Sequence, residues 1–284
     1  MNDLTVDPAC ATADANGARP CPVCGGTESA PLDKWSKVPW QNVRCSGCGM
    51  VFLRNPPPPE LLKSELDWDV LKNHERARRR AARGAGYYLV SDGIKRVRAF
   101  ARGFVTKKEY RYIQRYAEGP RILDVGCGGG HILAGMPGPI VPFGIEPSPG
   151  MQQQADASFR ARGGFCIHNI AHLGLRELPE EVKFDFILMR SFLEHDVMAE
   201  ETLLSCHAKL APQGKVLIKV PNFACWSARL RGAGWPGIRC PDHVNYFTPD
   251  SLAGLLQRCG FSRTWIPLVW RLPTSDNLWA LAYR

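Results

Sequence analysis

The sequence predicts an α/β protein, a mostly parallel sheet with helices on both faces, preceded by a small four-cysteine ribbon and a basic helical segment. Three observations predict it. From Gly119 onward short apolar runs alternate with helical patterns, which places parallel strands between covering helices. Within that region Arg121-Ile-Leu-Asp-Val-Gly-Cys-Gly-Gly-Gly130 reads as a buried strand running into a glycine loop. Ahead of it, Cys21-x-x-Cys24 and Cys45-x-x-Cys48 are two tight pairs separated by twenty residues.

The 284 residues, 45% of them hydrophobic, suffice for one substantial core and a small accessory module. No basic start followed by an apolar run opens the chain. No stretch approaches the roughly 18 apolar residues of a membrane span, so a cytoplasmic protein without a membrane span is expected. The eleven cysteines are odd in number and lack a secretion signal, which points to reduced thiols. The formal charge of +9 is uneven: residues 72–116 hold fourteen Lys or Arg against three Asp or Glu, a local +11, and the remainder stands at −2.

Residues 1–19 are polar and small, the composition of a disordered terminus. Residues 20–55 form the ribbon. Two Cys-x-x-Cys knuckles at this separation match tetrahedral zinc, with glycine after each second cysteine freeing backbone amides to turn toward the sulfurs. Ligands Cys21, Cys24, Cys45 and Cys48 leave no open position, so the Zn2+ is structural; a redox pair is the alternative reading. Residues 56–118 follow as a proline spacer and basic helical segment. Pro56 to Pro59 is stiff and extended, Glu60 to Lys72 reads as a short helix, and Arg76 to Arg83 carries five arginines. Gly84-x-Gly86-Tyr87-Tyr88 is a flexible aromatic stretch. Ser91-Asp92 caps a helix whose apolar positions, down to Tyr112, Ile113 and Tyr116, recur at helical spacing and pack on the sheet with the basic side outward.

Residues 119–284 make the main domain. The glycines at 126, 128, 129 and 130 remove every Cβ where a helix should start, so backbone can approach a ligand at the carboxyl end of a strand. Twenty residues past Gly126 the second strand, Pro142 to Ile145, ends on Glu146, placed to accept hydrogen bonds from a ribose. The third strand is Phe165 to Ile170. Phe184 to Arg190 is the fourth, running into Ser191-Phe192-Leu193-Glu194-His195. A helix from Met198 to Leu210 ends at Pro212-Gln-Gly214, and Lys215 to Val220 is the fifth strand. An insertion over 223–248, rich in Gly, Trp and Arg, reads as a lid. Thr248 caps a helix to Cys259, and Trp265 to Trp270 and Leu278 to Tyr283 are two further strands.

Asp124-x-Gly126-x-Gly128-x-Gly130 followed by Glu146 resembles the cofactor loop of class I S-adenosylmethionine (SAM) methyltransferases. The resemblance implies a Rossmann-like seven-stranded methyltransferase sheet with its last strand inserted antiparallel, and S-adenosyl-L-methionine as cofactor. It implies that Asp124 and the backbone of Gly126, Cys127, Gly128 and Gly130 hold the amino-acid end and that Glu146 takes the ribose hydroxyls. Asn169 and Ile170 stand where adenine is contacted, although an Asp is usual there; Arg190 and Tyr88 complete the implied cofactor set. Leu193-Glu194-His195, Val220-Pro221-Asn222 and Pro241-x-His243-x-x-Tyr246-Phe247-Thr248 resemble the branch that contains ubiquinone-pathway O-methyltransferases and bacterial polysaccharide and natural-product enzymes. In ubiquinone-pathway relatives another Glu one turn before the Glu-His pair completes a divalent-metal site; here that position is Ser191.

The implied reaction is methylation of a small-molecule acceptor, anionic or carrier-bound, at a hydroxyl whose proton a histidine removes. His195 and His243 are the candidates. Each has a second reading: His195 orienting the following helix, His243 tying the lid to backbone. The competing acceptor is nucleic acid, an rRNA or tRNA base, with the ribbon and the basic stretch tracking phosphates.

Overall fold

The computed structural model describes residues 19–56 and 108–284. The expectations for residues 1–18, for the proline spacer past Pro56, the helix from Glu60 to Lys72, the arginine run, the tyrosine segment with Tyr88 and the Ser91-Asp92 cap lie outside the described residues.

Strands β1 (Ser29–Pro31), β2 (Asn42–Cys45) and β3 (Val51–Leu53) form an antiparallel meander. Helix α1 (Lys108–Tyr116) follows, then β4 (Arg121–Val125), α2 (His131–Ala134), β5 (Val141–Ile145), α3 (Pro149–Arg160), β6 (Phe165–Ile167), α4 (Ala171–Glu177), β7 (Phe184–Arg190), α5 (Ala199–Lys209) and β8 (Leu210–Pro221). The chain closes with α6 (Trp226–Arg231), β9 (Asn245–Tyr246), α7 (Pro249–Arg258), β10 (Arg263–Trp265), α8 (Leu268–Arg271) and β11 (Asn277–Tyr283).

The main sheet has seven strands in the order β10-β11-β8-β7-β4-β5-β6, with β11 antiparallel to both its neighbours and the pairs from β8 to β6 parallel. Alternation along the strands sorts the core into two layers. Ile122, Phe186, Leu188, Leu217, Trp279 and Leu281 face Tyr110 and Ile113 of α1, Leu133 of α2 and Phe159 of α3. Leu123, Val125, Ile187, Met189, Val216 and Ile218 face Leu175 of α4, Leu203 of α5 and Leu252 and Leu255 of α7. This is the period-two pattern of a sheet covered on both sides. As expected for α1, Tyr112 stacks on Trp279 at 6.0 Å while Arg111 and Arg115 face solvent. No helix among the described residues is long and apolar enough to cross a membrane.

Several boundaries depart from the sequence expectations. The strand expected over Trp265 to Trp270 stops at Trp265, because Pro267 at φ −52° opens the helical turn of α8, in which Trp270 N donates to its carbonyl at 2.9 Å. β6 ends at Ile167, short of Ile170. β8 begins at Leu210, so Pro212-Gln-Gly214 lies inside a long strand whose pairing with β7 shifts register between Phe184 and Phe186. The segment over 223–248 also does more than cover the sheet: its β9 pairs with β3, Phe52 opposite Asn245 and Val51 opposite Tyr246, as the fourth strand of the ribbon sheet.

Candidate functional site

The parallel strands end at one edge, and there the loops after β4, β5, β7 and β8 enclose a cavity of about 930 Å³. Its lining includes Asp124, Gly126, Cys127, Gly128, Glu146 and Ile170 as well as Arg190, Glu194, His195, Lys219, Arg239, Asp242 and His243.

The glycine loop is shaped by steric need. Gly126 has φ +71°, and a Cβ there would lie 2.6 Å from Phe192 Cδ2, so only glycine lets the loop turn under that ring. Gly128 N donates to Glu146 Oε2 at 2.7 Å and Ser148 N to Oε1 at 3.0 Å, fixing the carboxylate at the cavity wall. Asp124 is buried, its Oδ2 has no hydrogen-bond partner, and burial raises its pKa to about 8 against the opposing pull of Arg190. A buried carboxyl oxygen without a partner in the wall of a cavity is a polar group left for a ligand to satisfy.

Two residues of the expected cofactor set do not line the cavity. Gly130, φ +73°, turns into the core, where a Cβ would meet Phe159 at 2.9 Å and Ala155 at 3.0 Å; its role is close packing of α2 on α3. Asn169 is turned aside: its Oδ1 accepts from Ile170 N at 2.8 Å and its Nδ2 donates to Glu177 Oε1. Arg190 does reach the cavity, held by an ion pair to Glu109 of α1. Cys127 lies 3.5 Å, sulfur to sulfur, from Cys166 of β6.

The two histidines, 48 residues apart in sequence, meet edge to face with ring centroids 4.6 Å apart. His195 Nδ1 donates to both the backbone oxygen (2.9 Å) and Oδ1 (2.8 Å) of Asp242. That leaves its Nε2 as the free ring nitrogen. Burial by itself would lower the His195 pKa, but the charge and hydrogen bond of Asp242 outweigh it and the net shift is upward. Asp242 in turn is held well below the usual carboxylate range: burial opposes this, and His195, His243 and Arg239 overcome it. Arg239 Nη2 pairs with the other oxygen of Asp242. His243 is buried with Nδ1 donating to Gly237 O at 2.8 Å, and burial followed by the nearby His195 pushes its pKa well below 6.5. The helix after this loop is entered through Asp196, whose Oδ1 accepts from Met198 N at 2.9 Å.

Sequence reasoning passed over Asp242, Lys219 and Arg239, which also line the cavity, and noted Glu194 only as half of the Glu-His pair. Asp242 sat beside His243 in the quoted motif, an adjacent acid that a histidine base needs and a signal that was available. Lys219 was invisible because alternation on a buried strand does not say which polar residue faces a cavity; its Nζ donates to Ser191 Oγ at 2.8 Å, and Ser191 holds φ +53°. Glu194, His195 and His243 also bring potential ligand atoms within 4.8 Å of one another, as do Cys21, Cys24, Cys45 and Cys48.

In the ribbon, Cys21 and Cys48 sulfurs are 3.4 Å apart, as are those of Cys24 and Cys45. Tetrahedral zinc with Zn–S of about 2.3 Å separates its sulfurs by about 3.8 Å, so the four thiols fit the ion with small adjustments. Gly25 and Gly49, both at φ +73°, turn the knuckles, with Gly25 N and Gly49 N donating to Cys21 O and Cys45 O.

A family model described as "Methyltransferase domain" matches residues 94–264. Among curated proteins, a tRNA U34 carboxymethyltransferase of Edwardsiella ictaluri is 30% identical over 162 residues, 55% of this chain and 49% of that protein. A protein of the same name from Serratia proteamaculans is 29% identical over 148 residues, 50% of this chain and 45% of the relative. The chain thus spans about half the length of these relatives. Among solved structures, a SAM-dependent methyltransferase from Archaeoglobus fulgidus is 20% identical with a TM-score of 0.49, covering 70% of this chain and 99% of that one.

Proposed function

Because the chain belongs to the methyltransferase-domain family, we propose that it transfers the methyl group of SAM to a hydroxyl of a small molecule, with His195 as general base. The observation that carries this reading is the His195–Asp242 pair facing the cavity. Asp242 fixes the Nδ1–H tautomer, which leaves the Nε2 lone pair of this cavity-lining histidine to take an acceptor proton. SAM, when bound, supplies an electrophilic methyl on a sulfonium. Asp124, Gly126, Gly128, Glu146 and Ile170 would hold it, and the orphaned Asp124 oxygen and Glu146 carboxylate suit a ligand that presents an ammonium and ribose hydroxyls. Lys219 and Arg239, which also line the cavity, favour an acceptor with an anionic group. His195 accepts the hydroxyl proton as the oxygen becomes the nucleophile. The cavity size lies within the ~300–1,000 Å³ of small-molecule sites.

The four ribbon cysteines, in this reading, hold one structural Zn2+. A second acceptor reading, RNA, is favoured by the names of the curated relatives, both tRNA U34 carboxymethyltransferases. One experiment decides between them. Purified protein is given methyl-labelled SAM and an extract of its source organism, and label is counted in small solutes, RNA and protein. Ribonuclease-resistant label in small solutes is expected; label in RNA would overturn the small-molecule reading.

A further inference from the structure

Resting on the reading of His195 as base, we propose that Arg19 and Asn245 are positioning residues through which the ribbon sheet holds the loop carrying Glu194 and His195. That loop, between β7 and α5, has little regular structure to fix it. The carbonyls of Leu193, Glu194, Asp196 and Val197 are nevertheless taken up by Val244, Asn245 and Arg19. Val244 N and Asn245 N donate to Glu194 O at 2.8 and 3.1 Å. The Asn245 carboxamide nitrogen donates to Leu193 O at 2.9 Å and Asp196 O at 2.8 Å, gripping the loop on both sides of His195. Arg19 Nη1 donates to Val197 O at 3.3 Å.

The grip is anchored in the ribbon. Arg19, two residues before Cys21, also donates through Nη2 to Val244 O at 2.8 Å and to Asn245 Oδ1 at 2.6 Å, and its guanidinium lies 5.3 Å from the Phe52 ring centroid. Asn245 stands opposite Phe52 in the β3–β9 pairing, and Leu53 N donates to Val244 O at 2.9 Å. One strand is thus stitched to the ribbon along one edge and to the base loop along the other. Asn suits position 245 because its single amide nitrogen offers two donors for two carbonyls while its oxygen accepts from Arg19; Asp would turn donors into repelling acceptors. Asn245 is 1% exposed, so no water replaces these bonds if they are lost. Displacing a base by even about 1 Å costs rate without touching cofactor affinity.

The test uses the full chain and the variants Arg19→Ala and Arg19→Lys. Two quantities are read: the Nδ1–H resonance of His195, assigned by its loss in His195→Gln, and the rate of label transfer from saturating SAM to the small-solute fraction. Arg19→Ala should broaden or abolish that resonance and slow transfer about tenfold, with SAM affinity within about twofold of the parent. Arg19→Lys, which keeps the charge but offers a point donor, should recover part of both. A folded Arg19→Ala protein with the resonance and rate of the parent overturns the proposal. Should Arg19→Ala not fold, an unchanged resonance and rate in Arg19→Lys overturns it equally. The resonance reports the loop whatever base is used, so the two readings fail separately: a parental rate in His195→Gln sinks the base, an unmoved resonance sinks the grip.

Discussion

Replacing Asp242 by Asn tests the core of the proposed chemistry. The substitution keeps shape but removes the charge 2.8 Å from His195 Nδ1 and offers an amide donor to that nitrogen, favouring the tautomer with Nε2–H and no lone pair toward the cavity. Charge centres about 4 Å apart attract by roughly 4 kcal/mol at an effective dielectric of about 20. Arg239 shares the carboxylate, so a third to a half of that is a fair share for His195. At 1.36 kcal/mol per pKa unit, His195 should fall by about one to two units. A base must be neutral to act, so the parent rate rises with pH through a pKa above 6.5, and in the variant this acidic limb moves to lower pH. With the wrong tautomer dominant, the plateau should drop by about 10²-fold or more. The assay is the pH profile of label transfer to the small-solute fraction at saturating SAM, with SAM affinity measured alongside. A parental plateau with an unmoved acidic limb would refute the Asp242–His195 reasoning and leave proximity alone as the source of rate. The same pair makes stability depend on pH. Its contribution is lost as pH rises through the elevated His195 pKa, and lost again as pH falls through the depressed Asp242 pKa.

The other predictions concern the cofactor end and the ribbon. Glu146→Ala deprives Gly128 N and Ser148 N of their acceptor and should weaken SAM binding by about 10- to 100-fold in calorimetry, the value of a charged hydrogen bond or two; parental affinity would contradict its role. Gly126→Ala must hold φ +71° and push Phe192 aside, costing about 1–2 kcal/mol in backbone strain alone, so the thermal midpoint should fall by about 3–8 °C together with SAM affinity. Protein purified without chelators should carry about one zinc per chain by elemental analysis, and Cys45→Ser should lose the metal and stability together; a parent content far below one would remove the metal from the ribbon.

Local signals settled much of this protein. Buried apolar runs and the glycine loop fixed β4, β5 and β7 and the wall formed by Asp124, Gly126 and Glu146, because strand burial and positive-φ turns are written in neighbouring residues. Paired cysteines announced the ribbon for the same reason: ligand spacing within each knuckle is local. Where a side chain's neighbour lies far along the chain, the sequence was silent. It could not show Gly130 facing α3, since that depends on how helices lie against each other. It offered His195 and His243 as alternatives, whereas folding brings their rings to 4.6 Å and gives one of them Asp242. It offered a ribbon and a lid as separate pieces, and only strand pairing joined them: β9 completes the ribbon sheet and carries the bonds that hold the histidine loop. Hydrogen bonds across two hundred residues leave no periodicity to read, and in this protein they hold the loop on which His195 stands.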